Sequence, residues 1–185
     1  FGFKDKMVSI RRAQVEDMLK MQQTNVWCLP ENYTSKYYFY HWLNWSQLLY
    51  VAEEVSTGKI VGYVLAKVDE ETSDISGHIT SISVLRTHRK LGIAYKLMCA
   101  THQDMIEVMD CDYCSLNVRV TNRAALNLYE TKLGYLKTGV EEGYYADGED
   151  GYIMKKFFKE TDEYKKVLKD IQAGKIVRAK NKIPE

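Results

Sequence analysis

The chain has 185 residues, of which 45% are hydrophobic and 28% charged, with a formal net charge of +1. These are globular values, and they exclude collagen-like, disordered and membrane-spanning classes, since no apolar run approaches the ~20 residues that a span needs. The near balance of charge also excludes a strongly basic nucleic-acid binder.

A chain of this length reads as one main domain, which buries roughly 70% of its extended surface and needs no disulfide staples. The opening FGFKDKMVSI lacks the apolar core and cleavage site of a secretory signal. Residues 1–6 therefore read as an extension, natural or added, and Cys28, Cys99, Cys111 and Cys114 as reduced thiols in a cytoplasmic setting. From Lys159 to Glu185 there are 8 Lys/Arg against 5 Asp/Glu, net +3, which leaves residues 1–158 with 18 against 20, net −2. The boundaries are then 7–158 for the domain and 159–185 for a basic tail, either solvated or in electrostatic contact with a partner.

In chain order, Val8–Arg12 predicts a strand, and Val15–Trp27 a helix that turns Val15, Met18, Leu19 and Val26 to one face. Pro30 breaks it, and a second helix runs from Thr34 or Ser35 to about Ser46. That helix carries Tyr37, Tyr38, Phe39, Tyr40, Trp42 and Trp45; such density favours core over a ligand or partner surface. Leu48–Val55, the turn Ser56–Gly58 and Lys59–Val68 form a hairpin.

His78–Leu85 (HITSISVL) reads as a strand by its alternation and β-branched content. Ala94, Leu97, Met98, Thr101, Met105 and Val108 recur at helical spacing. A strand over Tyr113–Arg119 follows. A helix then runs from an N-cap at Asn122 to about Leu133, closed by Gly134, before a strand pair over Tyr135–Glu141 and Tyr152–Phe158. Thr161–Gln172 is compatible with a short helix, and the remainder with loose order. The order gives an α/β fold with a mixed, mostly antiparallel sheet of about seven strands and about four helices.

Between the strand ending at Leu85 and the long helix lies Arg86-Thr-His-Arg-Lys-Leu-Gly-Ile-Ala94. Free N–H groups at the helix start, the helix dipole, Arg86, Arg89 and Lys90, and the close approach allowed by Gly92 suit a diphosphate. The spacing Arg89-x-x-Gly92-x-Ala94 resembles the acetyl-CoA signature of the GCN5-related N-acetyltransferases (GNAT), and the order of elements resembles their fold. A solvated helix start with ordinary cations is the alternative for so short a motif.

Longer stretches, LPENYTSKYYFYHW (29–42), GYVLAKV (62–68), NRAALNLYE (122–130) and YYADGEDGYIMKK (144–156), closely resemble the catalytic subunits of NatA-type N-terminal acetyltransferases. The resemblance implies transfer of acetyl from acetyl-CoA to the α-amine of protein N-termini, namely Ser, Ala, Thr, Gly, Val or Cys after loss of Met, and acidic residues when the chain acts alone. It also implies a large helical auxiliary subunit, nascent chains as substrates, contact with the ribosome through the complex, and no metal.

By that resemblance, Ile82, Val84, Arg86, Arg89, Lys90, Gly92, Ile93, Ala94, Asn122 and Tyr129 hold the cofactor. Leu29, Pro30, Glu31, Tyr33, Tyr144 and Tyr145 line the acceptor site. Glu31 is the base or amine-orienting group, Arg119 organises the site, and Tyr129 and Tyr145 contribute hydroxyls. Asn117 departs from the pattern: these subunits usually carry histidine there, and asparagine cannot shuttle a proton at neutral pH.

From composition alone, Glu31 is an exposed loop glutamate, Arg119 a surface ion-pair partner and Tyr129 a core tyrosine. Cys111-x-x-Cys114 has no second ligand pair, His78, His88 and His102 fit no zinc spacing, and Asp147, Glu149 and Asp150 form a solvated acidic turn rather than a calcium loop. Two other readings stay open: acetylation of lysine side chains, and a cofactor-binding module dependent on partners.

Overall fold

In the computed structural model the described residues are 7–69, 74–175 and, for the backbone, 177–180. The expectations for residues 1–6 and for the end of the tail, 181–185, lie outside the described residues. The chain divides into two compact units, Phe1–Val68 with Ile79–Asp110, and Asp69–His78 with Cys111–Glu185.

In the first unit the strands lie in the order β1 (Val8–Arg12), β2 (Tyr50–Glu54), β3 (Lys59–Asp69) and β4 (Ser76–Val84). β1 with β2 and β2 with β3 are antiparallel. β3 is buried without a break from Ile60 to Ala66, the pattern of a strand covered on both faces. Helices α1 (Met18–Cys28), α2 (Ser35–Trp45) and α3 (Ile93–Glu107) complete the unit. Met18, Met21, Tyr38, Leu49, Val51, Tyr63 and Leu65 form its core, with Tyr33, Tyr37, Phe39 and Trp42 packed against it.

The predicted face of α1 is corrected. Val15 lies in a short 3-10 turn, and Leu19 and Val26 are exposed, while Met18, Met21, Thr24 and Asn25 are buried. The cause is polar. Arg11 donates to both oxygens of the buried Asp17 carboxylate at 2.6 and 3.1 Å, which fixes the helix entry. Thr24 Oγ1 donates to the Lys20 carbonyl at 2.9 Å and Asn25 Nδ2 to the Glu31 carbonyl at 3.1 Å, so each of these buried donors has a backbone partner.

In the second unit the strand order is β5 (Tyr113–Arg119), β7 (Gly151–Phe157), β6 (Leu136–Glu142) and β8 (Val177–Lys180). β5/β7 and β6/β7 are antiparallel, and β6/β8 is parallel. The predicted helix after Asn122 is α4 (Arg123–Asn127) followed by a π turn over Leu128–Lys132, closed at Gly134 with φ 74°. α5 (Asp162–Gln172) is capped by the Thr161 hydroxyl. Beyond it, Val177–Lys180 departs from the expected loose order by pairing with the backbone of Gly139–Glu142.

Candidate active site

The turn between β4 and α3 has the expected form. Arg86–His88 is a 3-10 turn, Lys90 and Gly92 take left-handed conformations with φ 65° and 74°, and Gly92 is the N-cap residue of α3. No side chain caps α3, and a Cβ at Gly92 would meet nothing within 4 Å. Arg86, Arg89 and Lys90 are exposed. The turn is tied from below: Arg89 Nε donates to the Val84 carbonyl at 3.0 Å, and buried His88 places Nε2 3.2 Å from Glu54 Oε1. Positive charge, free amides and an open approach thus converge at one helix start, as an anion requires.

The loop before α2 is held by side chains that pattern reading assigns to a solvated helix face. From α1, Asn25 Nδ2 donates to the Glu31 carbonyl at 3.1 Å and Gln22 Nε2 to the Tyr33 carbonyl at 3.0 Å. Asn32 Nδ2 folds back on the Pro30 carbonyl at 2.9 Å. Glu31 and Tyr33 are half-buried and Pro30 exposed. The loop is therefore a fixed backbone, and its residues are presented rather than free to wander.

In the second unit, Arg119 is half-buried at the end of β5 and gathers the loop that joins β6 to β7. Its Nη1 donates to Asp147 Oδ2 at 2.8 Å and to Glu149 Oε2 at 2.6 Å, and its guanidinium lies 4.1 Å from the Tyr145 ring centre. Thr121 adds its amide and hydroxyl to Glu149 Oε1 at 3.1 and 2.6 Å. The loop also closes on itself through the Tyr145 amide and the Glu149 carbonyl, and the Tyr144 and Tyr145 rings meet edge-on at 5.0 Å.

The acidic turn keeps Asp147 exposed and supplies the partners of Arg119, Asp147 and Glu149, while Asp150 accepts from the Gly143 amide. A backbone bond from Glu149 and then Arg119 hold the Asp147 carboxyl below its usual value, and the Thr121 hydroxyl and then Arg119 do so for Glu149.

Asn122 caps α4, accepting from the Ala125 amide at 3.2 Å. Tyr129 is buried at 6% exposure within the π turn, 5.7 Å from the Tyr135 ring, and burial followed by the nearby Cys114 pushes its hydroxyl above the usual tyrosine value. The two-turn spacing of a regular α-helix therefore does not hold between Asn122, which is exposed, and Tyr129. Asn117 Nδ2 donates to Glu141 Oε2 at 3.3 Å.

Among the described residues no group of three or more His, Cys, Asp or Glu could hold a metal ion, and no helix is long and apolar enough to cross a membrane. Cys28 and Cys99 are free thiols. A cavity of about 510 Å³ lined by Arg12, Gln14, Glu16, Trp42 and Gln47 holds none of the predicted site residues.

The acetyltransferase (GNAT) family pattern matches residues 15–135. The chain is similar to the N-terminal acetyltransferase A complex catalytic subunit NAA10 of Arabidopsis thaliana, 60% identical over 153 residues that cover 83% of this chain and 79% of that one. It is 49% identical over 153 residues to the N-terminal acetyltransferase A complex catalytic subunit ard1 of Schizosaccharomyces pombe, covering 82% and 86%. Among solved structures, a chain of the NatB acetyltransferase complex bound to a bisubstrate inhibitor aligns with a TM-score of 0.72 and 31% identity, covering 83% of this chain and 92% of that one.

Proposed function

The chain belongs to the acetyltransferase (GNAT) family, and from that premise we propose that it is the catalytic subunit of a NatA-type N-terminal acetyltransferase, using acetyl-CoA. The observation that carries the acceptor class is the 60% identity over 153 residues to a NatA catalytic subunit. The cradle supports the cofactor: an uncapped helix start, an open Gly92 and three exposed cations fit a diphosphate. Arg86, Arg89, Lys90, Gly92, Ile93 and Ala94 would hold that group, with Ile82 and Val84 along its path; Asn122 is assigned to the cofactor by resemblance.

Bound acetyl-CoA supplies an acyl group activated as a thioester. An α-amine has a pKa near ~7.7 to 8.0, so part of it is already neutral at pH 7 and a base need only complete the deprotonation. Overall, a C–N bond forms, the C–S bond breaks, and one proton leaves nitrogen while the sulfur departs as thiolate or thiol. Glu31 orients the amine and takes the proton. Tyr129, whose hydroxyl keeps its proton through burial, donates a hydrogen bond to the leaving sulfur. Leu29, Pro30, Tyr33, Tyr144 and Tyr145 wall the first residues of the acceptor.

Arg119, itself held by Asp147 and Glu149, positions Tyr145 by lying over its ring. With Asn117 in place of a titrating histidine, no proton passes through that position. Catalysis rests on orientation and on hydrogen bonding to the reacting groups.

The complex is cytoplasmic and meets nascent chains at the ribosome, with a large helical subunit as the partner of this one. The test is thiol release from acetyl-CoA over peptides of different first residues, with and without the auxiliary subunit. We expect Ser- and Ala-starting peptides to be preferred by the complex and acidic ones by the chain alone. Equal or better turnover of Ser and Ala peptides by the chain alone would overturn that part of the reading. Acetylation of a lysine peptide with a blocked α-amine would overturn the acceptor assignment.

A further inference from the structure

Four aromatic side chains at steps of four residues, Tyr33, Tyr37, His41 and Trp45, form a ladder from the Glu31 loop along α2. Tyr33 stacks on Tyr37 with ring centres 4.8 Å apart and planes at 22°. Tyr37 meets His41 at 4.5 Å and 62°, and His41 meets Trp45 at 5.5 Å and 61°. Residues four apart on a helix share a face, so the ladder continues the helix axis into the loop that precedes it.

His41 is the one ladder ring with polar ties at both edges. It is 1% exposed. Nδ1 lies 3.0 Å from the Tyr37 carbonyl and Nε2 lies 3.1 Å from Thr80 Oγ1 on β4. A carbonyl can only accept, so Nδ1 carries the hydrogen, and Nε2 of the neutral ring accepts from the Thr80 hydroxyl. Those two bonds fix both the tautomer and the rotation of the ring. The ring in turn sets Tyr37, and Tyr37 sets Tyr33. The backbone of the loop is clamped separately by Asn25 and Gln22, so the ladder governs the Tyr33 side chain rather than the chain path.

We propose that His41 is a positioning residue for acceptor recognition: held by Thr80 and the Tyr37 carbonyl, it fixes through Tyr37 the ring of Tyr33 that walls the peptide site. The proposal rests on the acceptor site assigned above to the Leu29–Tyr33 loop. It predicts an effect on binding of the acceptor peptide and none on acetyl-CoA, because the cradle is held by other residues.

The experiment compares the full chain in its complex with the auxiliary subunit, as wild type, His41→Ala and Thr80→Val. Expected is a rise of about three- to ten-fold in KM for the peptide with His41→Ala, the range a lost ring contact gives, with kcat and the KM for acetyl-CoA within about two-fold. Thr80→Val keeps every ring and should give a smaller rise in the same direction; it carries the test if His41→Ala does not fold. A readout free of activity is the proton chemical shift of the Tyr33 ring, which its stack on Tyr37 displaces from the free-tyrosine value and which moves toward that value in both variants. Unchanged peptide KM and an unchanged Tyr33 ring shift in both variants, or a fall in kcat together with a raised acetyl-CoA KM, overturn the proposal. If wild type acetylates no peptide, the acceptor reading fails, and the Tyr33 ring shift still decides whether His41 holds that ring.

Discussion

Lys90 and Gly92 separate two contributions to the cradle that a short motif merges, backbone shape and charge. Both take left-handed conformations, which a glycine adopts freely and a residue with a Cβ adopts at a cost of about 1–2 kcal/mol. At Gly92 the space is open, so Gly92→Ala meets no atom and suffers the conformational penalty alone. It should lower stability by about 1 kcal/mol and raise the KM for acetyl-CoA, because the helix start shifts. Lys90→Gly relieves the same penalty while removing a cation. It should melt no lower than wild type yet still bind acetyl-CoA more weakly. Thermal melts beside KM measurements on both variants check the pair, and a Lys90→Gly protein that melts lower would show that the lysine side chain, not the turn, holds this conformation.

At the scale of elements, β1, the β2–β3 hairpin and α3 were legible because one rule governed each: alternation, turn chemistry, or a stripe at helical spacing. The α1 face was not, because Asn25 turns inward to bond the Glu31 carbonyl and Thr24 satisfies its hydroxyl on its own helix, neither of which a pattern of hydrophobicity registers. The site divides in the same way. Pro30 announced the Glu31 loop and Gly92 the cradle, whereas the clamp from Gln22 and Asn25 and the acidic partners of Arg119 depend on residues far apart in sequence. A complementary charge count, one arginine at a strand end against the acidic loop at 147–150, was the available signal for the latter.

α2 also makes a prediction about pH. Burial, opposed by the Tyr37 carbonyl and assisted by Lys67, lowers the pKa of His41 from 6.5, with Tyr37, Tyr40 and Trp45 as its ring neighbours. The unfolded chain therefore takes up this proton first as pH falls. The contribution to stability is whole above pH 6.5 and declines below it, toward the lower folded value. Melting temperatures should fall more steeply below pH 6.5 in wild type than in His41→Phe, which cannot titrate. Parallel slopes would mean that His41 is no more costly to protonate folded than unfolded.

For the molecule as a whole, the large apolar residues that α1 and α2 leave outside bear on assembly. Leu19, Val26 and Trp27 of α1 are 58%, 56% and 56% exposed, and Leu43 of α2 is 76% exposed, all within one unit. Single exposed apolar residues are common, but four on two helices that pack on each other are apolar area available to a partner. The partner proposed above gives this surface a use, and burial of an exposed leucine contributes about 1.5–3 kcal/mol when complete. Leu43 is largely exposed, so with Leu43→Asp the isolated chain should keep its stability within about 0.5 kcal/mol. In the complex the same change would bury a carboxylate without a partner and should weaken association by at least about ten-fold. Calorimetric titration of the auxiliary subunit with wild-type and Leu43→Asp chains, with melts of each chain alone, measures both. Full affinity in the variant would place the partner on another face, and a lowered melting temperature would show that Leu43 supports the fold rather than the assembly.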